Sequence, residues 1–254
     1  MGAVIPAAER TLDVLTAMAQ ASGPVTAASL ARDLGIPRSS VYQLLDVLSA
    51  RGFVVHLAQE RRWTLGLTAF EVGSAYLRSD PLERLTEPLL RRLAADAPVP
   101  VVAHLGVVRG HETVYLLKEV SEQVITTVTQ VGVRLPAALT ASGRAVLACL
   151  PKAQVRAQLS VPGAFTDRTG RGPRTLSALS ALLTEERRQG FSTEEGFITE
   201  GFSSVAAPIL SSRRTPYAAI GLTFRSGEAP ARHRASLVRA VMQCAHDVAV
   251  RHGG

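Results

Sequence analysis

The sequence predicts an α+β protein with an N-terminal winged helix-turn-helix, a linker helix and a C-terminal antiparallel sheet with helices packed on it. Three observations carry this. A short helix, a glycine stop and a longer amphipathic helix follow one another between Thr26 and Gly52, with two short β-rich segments directly after. At Val99 the apolar pattern changes from helical period to β-branched runs. Beyond it strands and helices segregate rather than alternate strictly, as in antiparallel sheets with helices on them. The expected division is 1–66 for the winged helix-turn-helix, 67–80 for the linker helix and 81–254 for the remainder.

Taken in order, a first helix over Ala7–Ala19 puts Leu12, Leu15, Met18 and Ala19 on one face, and Gly23-Pro24 stops it. Thr26 is the expected N-cap of a short helix carrying Leu30, Ala31 and Leu34, which Gly35 ends. Pro37 opens the next helix, a position that suits its fixed φ. There Val41, Leu44, Leu45 and Leu48 follow the i, i+3, i+4, i+7 pattern until Gly52. Phe53–Leu57 and Arg62–Leu65, separated by Ala58-Gln59-Glu60-Arg61, read as a hairpin. Leu67–Arg78 reads as the linker helix, with Phe70, Tyr76 and Leu77 available for packing. Asp80-Pro81-Leu82-Glu83 is a helix start, and Leu82, Leu85, Leu89 and Leu93 keep register to about Ala97. Strands are expected at Val99–Val108, Thr113–Val120, Gln123–Val131, Val205–Leu210 and Tyr217–Phe224. Helices are expected at Ser142–Leu150, Lys152–Leu159, Leu176–Arg188 and Ala231–His252.

With Val41, Leu44, Leu45 and Leu48 anchoring the second helix of the pair, Arg38, Ser39, Ser40, Tyr42, Gln43 and Asp46 are left for other contacts. In a helix-turn-helix such positions meet base edges and phosphates in the major groove. Arg61 and Arg62 sit at or just past the hairpin tip, suited to a phosphate or the minor groove. The expected DNA-binding set is Thr26, Arg32, Pro37, Arg38, Ser39, Ser40, Tyr42, Gln43, Arg61 and Arg62. Bulk charge contributes little: residues 1–65 hold six Arg and five acids, a net of 6 − 5 = +1. Basic surface must come from placement.

Composition bounds the rest. The chain has 254 residues, 46% of them hydrophobic, enough for a sizeable core, and a formal charge of 28 − 21 = +7. Only Lys118 and Lys152 are lysines, so 26 of the 28 cations are Arg, whose planar fork suits phosphate and base edges. Cys149 and Cys244 lie far apart and form no CxxC pair, which argues against a disulfide scaffold or a cysteine-rich zinc site. No apolar run reaches the ~18 residues of a spanning helix, and Glu9, Arg10 and Asp13 interrupt what a signal peptide would need. A cytoplasmic protein with no membrane partner is expected.

The run Ala28-Ser29-Leu30-Ala31-Arg32-Asp33-Leu34-Gly35-Ile36-Pro37-Arg38-Ser39-Ser40-Val41-Tyr42-Gln43-Leu44-Leu45 resembles the DNA-binding segment of IclR-type transcriptional regulators. Trp63-Thr64-Leu65-Gly66 resembles that family's aromatic-x-Leu-Gly after the hairpin. The likeness continues through Leu135-Pro136, Thr140–Ala145, Leu150-Pro151, Arg188-Gln189-Gly190-Phe191 and Val205-Ala206-Ala207-Pro208-Ile209. It therefore spans nearly the whole chain in the family's order. Gln43 stands where the family often has Arg, a change that favours adenine edges over guanine.

The resemblance implies a GAF-like domain in 81–254 for effector binding and oligomerisation. It places a pocket at Leu135, Ala141, Ser142, Gly143, Glu194, Phe202, Ser204, Gly221 and Thr223. Ala141-Ser142-Gly143 would offer amides and a hydroxyl at a helix N-terminus, which favours an anion. Ser142, Ser204 and Thr223 would give hydroxyls to a carboxylate, Leu135 and Phe202 apolar wall, and Glu194 a polar group for the ligand's far end. Gly221 and Ser204 occupy places where family members vary, and a glycine enlarges the cavity, which suggests an acid larger than two or three carbons, such as an aromatic one. The implied partners are a double-stranded, pseudopalindromic DNA operator, a small organic acid and a second copy of the chain, as a homodimer or dimer of dimers.

Catalytic motifs are not found. There is no GxGxxG, Walker loop or GxSxG elbow, and His111-Glu112 lacks the second histidine of HExxH. His104 and His111 are seven apart across a proposed turn, and His246 and His252 lie near the C-terminus. Adjacent Glu194 and Glu195 would face opposite sides of an extended segment. Cys149 lies on an apolar helix face. No catalytic residue, metal or cofactor is expected; the alternative is an enzyme acting on a small acid with a regulatory helix-turn-helix head.

Overall fold

Local signals at the chain's caps decide where the first helices begin and end. The computed structural model describes residues 5–21, 23–79, 81–122, 127 and 130–253. The chain forms two compact units, 1–80 and 81–254. In the first, α1 (Pro6–Gln20), α2 (Ala27–Leu34) and α3 (Arg38–Ala50) precede an antiparallel hairpin of β1 (Val54–Leu57) and β2 (Arg62–Leu65). Helix α4 (Leu67–Ser79) follows and belongs with this unit.

Thr26 caps α2 through a reciprocal pair: its hydroxyl accepts from the Ser29 amide at 3.0 Å, while the Ser29 hydroxyl oxygen accepts from the Thr26 amide at 3.2 Å. Gly35 closes that helix in the left-handed region at φ 63°. Val14, Met18, Leu30, Ile36, Val41, Leu45, Leu48, Val54 and Trp63 form the core. On α1 the buried pair is Val14 and Met18, whereas Leu12 and Ala19 are exposed. The face expected from Leu12, Leu15, Met18 and Ala19 is therefore rotated toward Val14. Trp63 ties the hairpin to the helices, exchanging backbone hydrogen bonds of 2.8 and 2.9 Å with Val25. Phe70 on α4 is exposed; the side chains of Tyr76 and Leu77 lie outside the described residues.

The second unit is built on a six-stranded antiparallel sheet. Its strands are β3 (Val102–Arg109), β4 (Glu112–Val120), β5 (Arg134–Pro136), β6 (Ser192–Glu195), β7 (Phe202–Leu210) and β8 (Pro216–Arg225), in the order β5-β4-β3-β8-β7-β6. Helices are α5 (Pro81–Ala95), α6 (Ala141–Cys149), α7 (Lys152–Leu159), α8 (Leu176–Gln189) and α9 (Ala231–Gly253). Period-2 alternation gives the sheet two different faces. Ala103, Leu105, Val205, Ala207, Ile209, Ala218, Ile220, Leu222 and Phe224 pack on α5 and α9 through Leu90, Leu237, Val241 and Val248. The opposite face, covered in part by α6, carries small and polar residues: Ala206 and Ala219 meet Ala141, Ala145 and Val146.

Some expectations differ from the structure or fall outside the described residues. The buried stripe of α5 is Leu82, Leu90, Leu93 and Ala94, with Leu85 and Leu89 only half-buried. The strand expected over Gln123–Val131 falls mostly outside the described residues, and Thr127, Gln130 and Val131 are not in a strand. Asp80, expected as the cap of α5, also lies outside them. Strands β5 and β6 were not anticipated as strands; they are three and four residues long, too short for alternation to register.

Candidate nucleic-acid interface and ligand cavity

In the first unit the second helix of the helix-turn-helix presents one polar face. Arg38, Ser39, Tyr42, Gln43 and Asp46 are exposed and Ser40 half-buried, opposite buried Val41, Leu45 and Leu48. The N-cap of α3 is Pro37, which makes no side-chain cap hydrogen bond. The first turn of α3 therefore has no side-chain cap, in contrast to α2, and uncapped amides with the helix dipole attract phosphate. The Arg38 guanidinium lies over the Tyr42 ring, 5.8 Å from its centroid, and donates to its hydroxyl at 3.5 Å.

The other expected DNA-binding residues are placed less freely. The Thr26 hydroxyl is spent on capping α2. Arg32 pairs with neighbouring Asp33 at 2.9 Å, both exposed. Arg62 donates to the Pro24 carbonyl at 3.1 Å, tying the wing to the helices. Arg61 sits in the hairpin turn with φ 52° and is exposed.

In the second unit a cavity of about 160 Å³ lies between the polar face of the sheet and the start of α6. Thr140 caps α6, its hydroxyl accepting from the Gly143 amide at 3.0 Å and sharing a 2.8 Å hydrogen bond with Thr113. The amides of Ala141 and Ser142, both on the cavity wall, have no hydrogen-bond partner among the described residues. Helix α6 sits close on the sheet because Gly221 leaves room: a Cβ there would meet the Ser142 hydroxyl at 2.7 Å.

Across the cavity, Glu194 is 4% exposed. Its Oε1 accepts from the amides of Phe197 at 2.6 Å and Ile198 at 3.2 Å, and its Oε2 accepts from the Ser204 hydroxyl at 2.9 Å. Ser204 is 2.9 Å from the Thr223 hydroxyl, which is 3.0 Å from Nε2 of His104. Burial pushes the Glu194 carboxyl above its ordinary value, opposed by Ser204 and the two amides. Burial, then the charge of Lys118, lowers the His104 ring from 6.5 to about 3, so it is neutral. Burial likewise raises the Tyr115 phenol. Among the described residues the lining holds one carboxyl and no Lys or Arg.

Behind the cavity wall, Arg144 of α6 is fully buried and forms an ion pair with Glu186 at 2.9 Å. It also donates to the carbonyls of Ala138 at 3.2 Å, Leu139 at 3.0 Å and Thr193, and lies over the Phe197 ring. One guanidinium therefore fixes the strand carrying Glu194 and the loop entering α6.

Of the expected pocket residues, Leu135, Ala141, Ser142, Glu194, Phe202, Ser204 and Thr223 line this cavity together. Gly143 and Gly221 do not, and their roles are corrected. The Gly143 amide is taken by Thr140, and a Cβ at Gly143 would meet the Ala137 carbonyl oxygen at 2.4 Å. The room left by Gly221 is filled by Ser142, so this glycine does not enlarge the cavity. Residues that were not assigned to the pocket from the sequence also line it, chiefly His104, Tyr115, Thr140, Ile198 and Thr199. For His104 the available signal was a lone polar residue two positions from Gly106 in an apolar strand. Cys149 is only half-buried, and burial raises its thiol above the ordinary value. Among the described residues no cluster of His, Cys, Asp and Glu could hold a metal ion, and no helix is long and apolar enough to cross a membrane.

Residues 7–58 match the family model described as the IclR helix-turn-helix domain, and residues 74–250 match the bacterial transcriptional regulator IclR C-terminal model. The acetate operon repressor of Salmonella typhimurium is 28% identical over 247 residues, covering 96% of this chain and 89% of that protein. The crystal structure of a regulator from Alicyclobacillus acidocaldarius superposes with a TM-score of 0.86 at 20% identity, covering 99% of this chain and 100% of that one. A homologue from Microbacterium hydrocarbonoxydans, crystallised with 4-hydroxybenzoate, gives a TM-score of 0.79 at 21% identity over 96% of this chain and 98% of that one. With both halves matched in order, the chain belongs to the IclR family of bacterial transcriptional regulators.

Proposed function

We propose that this regulator binds a pseudopalindromic operator through α3 and senses a small organic acid in the cavity of its second unit. The single observation that carries the reading is the cavity: a partly polar space beside two amides at a helix start that have no partner among the described residues. Those amides suit a carboxylate without a cation. A volume of about 160 Å³ is close to the ~150 Å³ that holds a benzene-sized molecule, which favours a ring-bearing acid. The Microbacterium homologue's hydroxybenzoate is consistent with that size class.

On the DNA side, a dimer would lay α3 of each copy into major grooves about one helical turn, ~34 Å, apart. Arg38, the uncapped amides and Gln43 are the proposed contacts, with Arg61 reaching from the wing. Arg62, Thr26 and Arg32 act first within the domain, so their contribution to DNA is secondary. Ligand control requires the acid to bind the DNA-competent and DNA-incompetent arrangements with different affinity. What favours a sensor over an acid-processing enzyme is that Glu194, the lone carboxyl of the lining among the described residues, has its oxygens engaged by three donors.

The test is selection of genomic DNA fragments by the purified full chain, followed by titration of the selected fragment. Enrichment of a two-fold-symmetric site is expected. No enrichment above random DNA by folded protein would overturn the operator reading.

A further inference from the structure

A chain of hydrogen bonds runs along the cavity from Glu194 to His104, and with Glu194 ionised its direction determines what the far end can do. Glu194 Oε1 accepts from two amides and Oε2 from Ser204. A hydroxyl has one proton to give. With the Ser204 proton on Glu194, Ser204 accepts from Thr223; with the Thr223 proton on Ser204, Thr223 accepts from His104 Nε2. A Glu194 carboxylate therefore sets His104 as the Nε2–H tautomer, with its Nδ1 left as a lone acceptor. That atom is buried and has no partner among the described residues, on a residue that is 2% exposed and lines the cavity.

An unpaired buried acceptor is costly, and a ligand that supplies a donor recovers the loss. We infer that His104 Nδ1 accepts a hydrogen bond from a hydroxyl of the ligand, so that the cavity takes hydroxylated organic acids in preference to their unsubstituted parents. This rests on the proposed acid-sensing role, with the carboxylate at the Ala141 and Ser142 amides. The donor is a hydroxyl rather than an ammonium because Lys118 stands directly opposite His104 in the strand register, and a second cation there would be repelled. No signal of this kind was visible in the residues assigned to the pocket by resemblance, since His104 was not among them.

The experiment is calorimetric titration of the full chain with matched pairs: benzoate against its monohydroxy isomers, and propionate against lactate. At least one hydroxylated member is expected to bind about tenfold or more tightly than its parent. In His104→Phe, which keeps an aromatic ring and removes both nitrogens, the ratio of affinities within the pair is expected to fall to about one. Equal affinity within every pair, or a preference that survives in His104→Phe, overturns the inference and leaves the acid-sensing reading standing. Binding of no acid from either set overturns both. Should the variant fold poorly, NMR of the ring nitrogens in the unmodified protein decides instead: a protonated Nδ1 in place of Nε2–H overturns the inference.

Discussion

Replacing Glu186 by Gln tests whether the clamp behind the cavity holds the second unit together. The substitution keeps shape and removes charge, leaving the Arg144 guanidinium fully buried without its counter-ion. Breaking a buried pair by removing one partner costs about 3–5 kcal/mol, because the remaining charge is uncompensated. Arg144 keeps its three carbonyl acceptors, Ala138, Leu139 and Thr193, which places the expected loss near the lower end, about 3 kcal/mol. For a domain of this size each kcal/mol moves the melting midpoint by about 2–4 °C, so a fall of roughly 6–12 °C is expected. The assay is urea and thermal unfolding followed by circular dichroism, beside Glu195→Gln as a control. Glu195 pairs with Arg234 at 3.3 Å with both side chains substantially exposed, and its loss is expected to stay within about 1 kcal/mol. A cost below about 1 kcal/mol for Glu186→Gln, or equal costs for both variants, would refute the reasoning that this guanidinium depends on its partner.

Four other outcomes are expected. Thr26→Ala removes the reciprocal cap of α2 and should lower first-unit stability by about 1 kcal/mol, read by the fluorescence of Trp63 during unfolding. His104 takes a proton near pH 6.5 when unfolded but only near 3 when folded. Its contribution is therefore complete well above pH 6.5 and lost as pH falls, by about 1.7 kcal/mol between pH 6.5 and 5. The difference in unfolding free energy between the natural protein and His104→Gln should shrink by that amount over the interval; a difference independent of pH would contradict the buried neutral ring. Arg38→Ala should weaken operator binding about ten- to a hundredfold at moderate salt, measured by fluorescence anisotropy. Ser204→Leu fills the cavity and interrupts its hydrogen-bond chain, so the acid response should vanish in the same assay while ligand-free operator binding stays.

The sequence made the helix-turn-helix legible because its boundaries are local chemistry. Thr26 and Ser29 form a cap whose partners are three residues apart, Gly35 supplies a left-handed stop, and Val41, Leu45 and Leu48 repeat at helical spacing. Helix α1 was placed but its face was misread, since Leu12 and Ala19 are as apolar as the buried positions and only packing distinguishes Val14 from them. Short β6, Ser-Thr-Glu-Glu, carries no apolar pattern and becomes a strand only through its pairing with Ser203–Ala206 of β7.

The cavity was half legible. Ser142, Glu194, Ser204 and Thr223 came from resemblance, and the structure brings them together. Gly143 and Gly221 share their neighbourhood but serve close packing, which depends on how near α6 approaches the sheet. His104 was weighed only against His111 and not assigned to the pocket, because its partner Thr223 is 119 residues away; no local spacing encodes that contact. The buried Arg144–Glu186 pair spans 42 residues and was missed for the same reason.

The account's central claim is that an acid in the cavity changes how α3 holds DNA. Its most direct test is the affinity of the full chain for its selected operator, measured with and without a saturating acid identified by calorimetry. A change of about fivefold or more, in either direction, is expected from typical coupling energies, together with its loss in Ser204→Leu. Identical affinities with the acid demonstrably bound would contradict the claim.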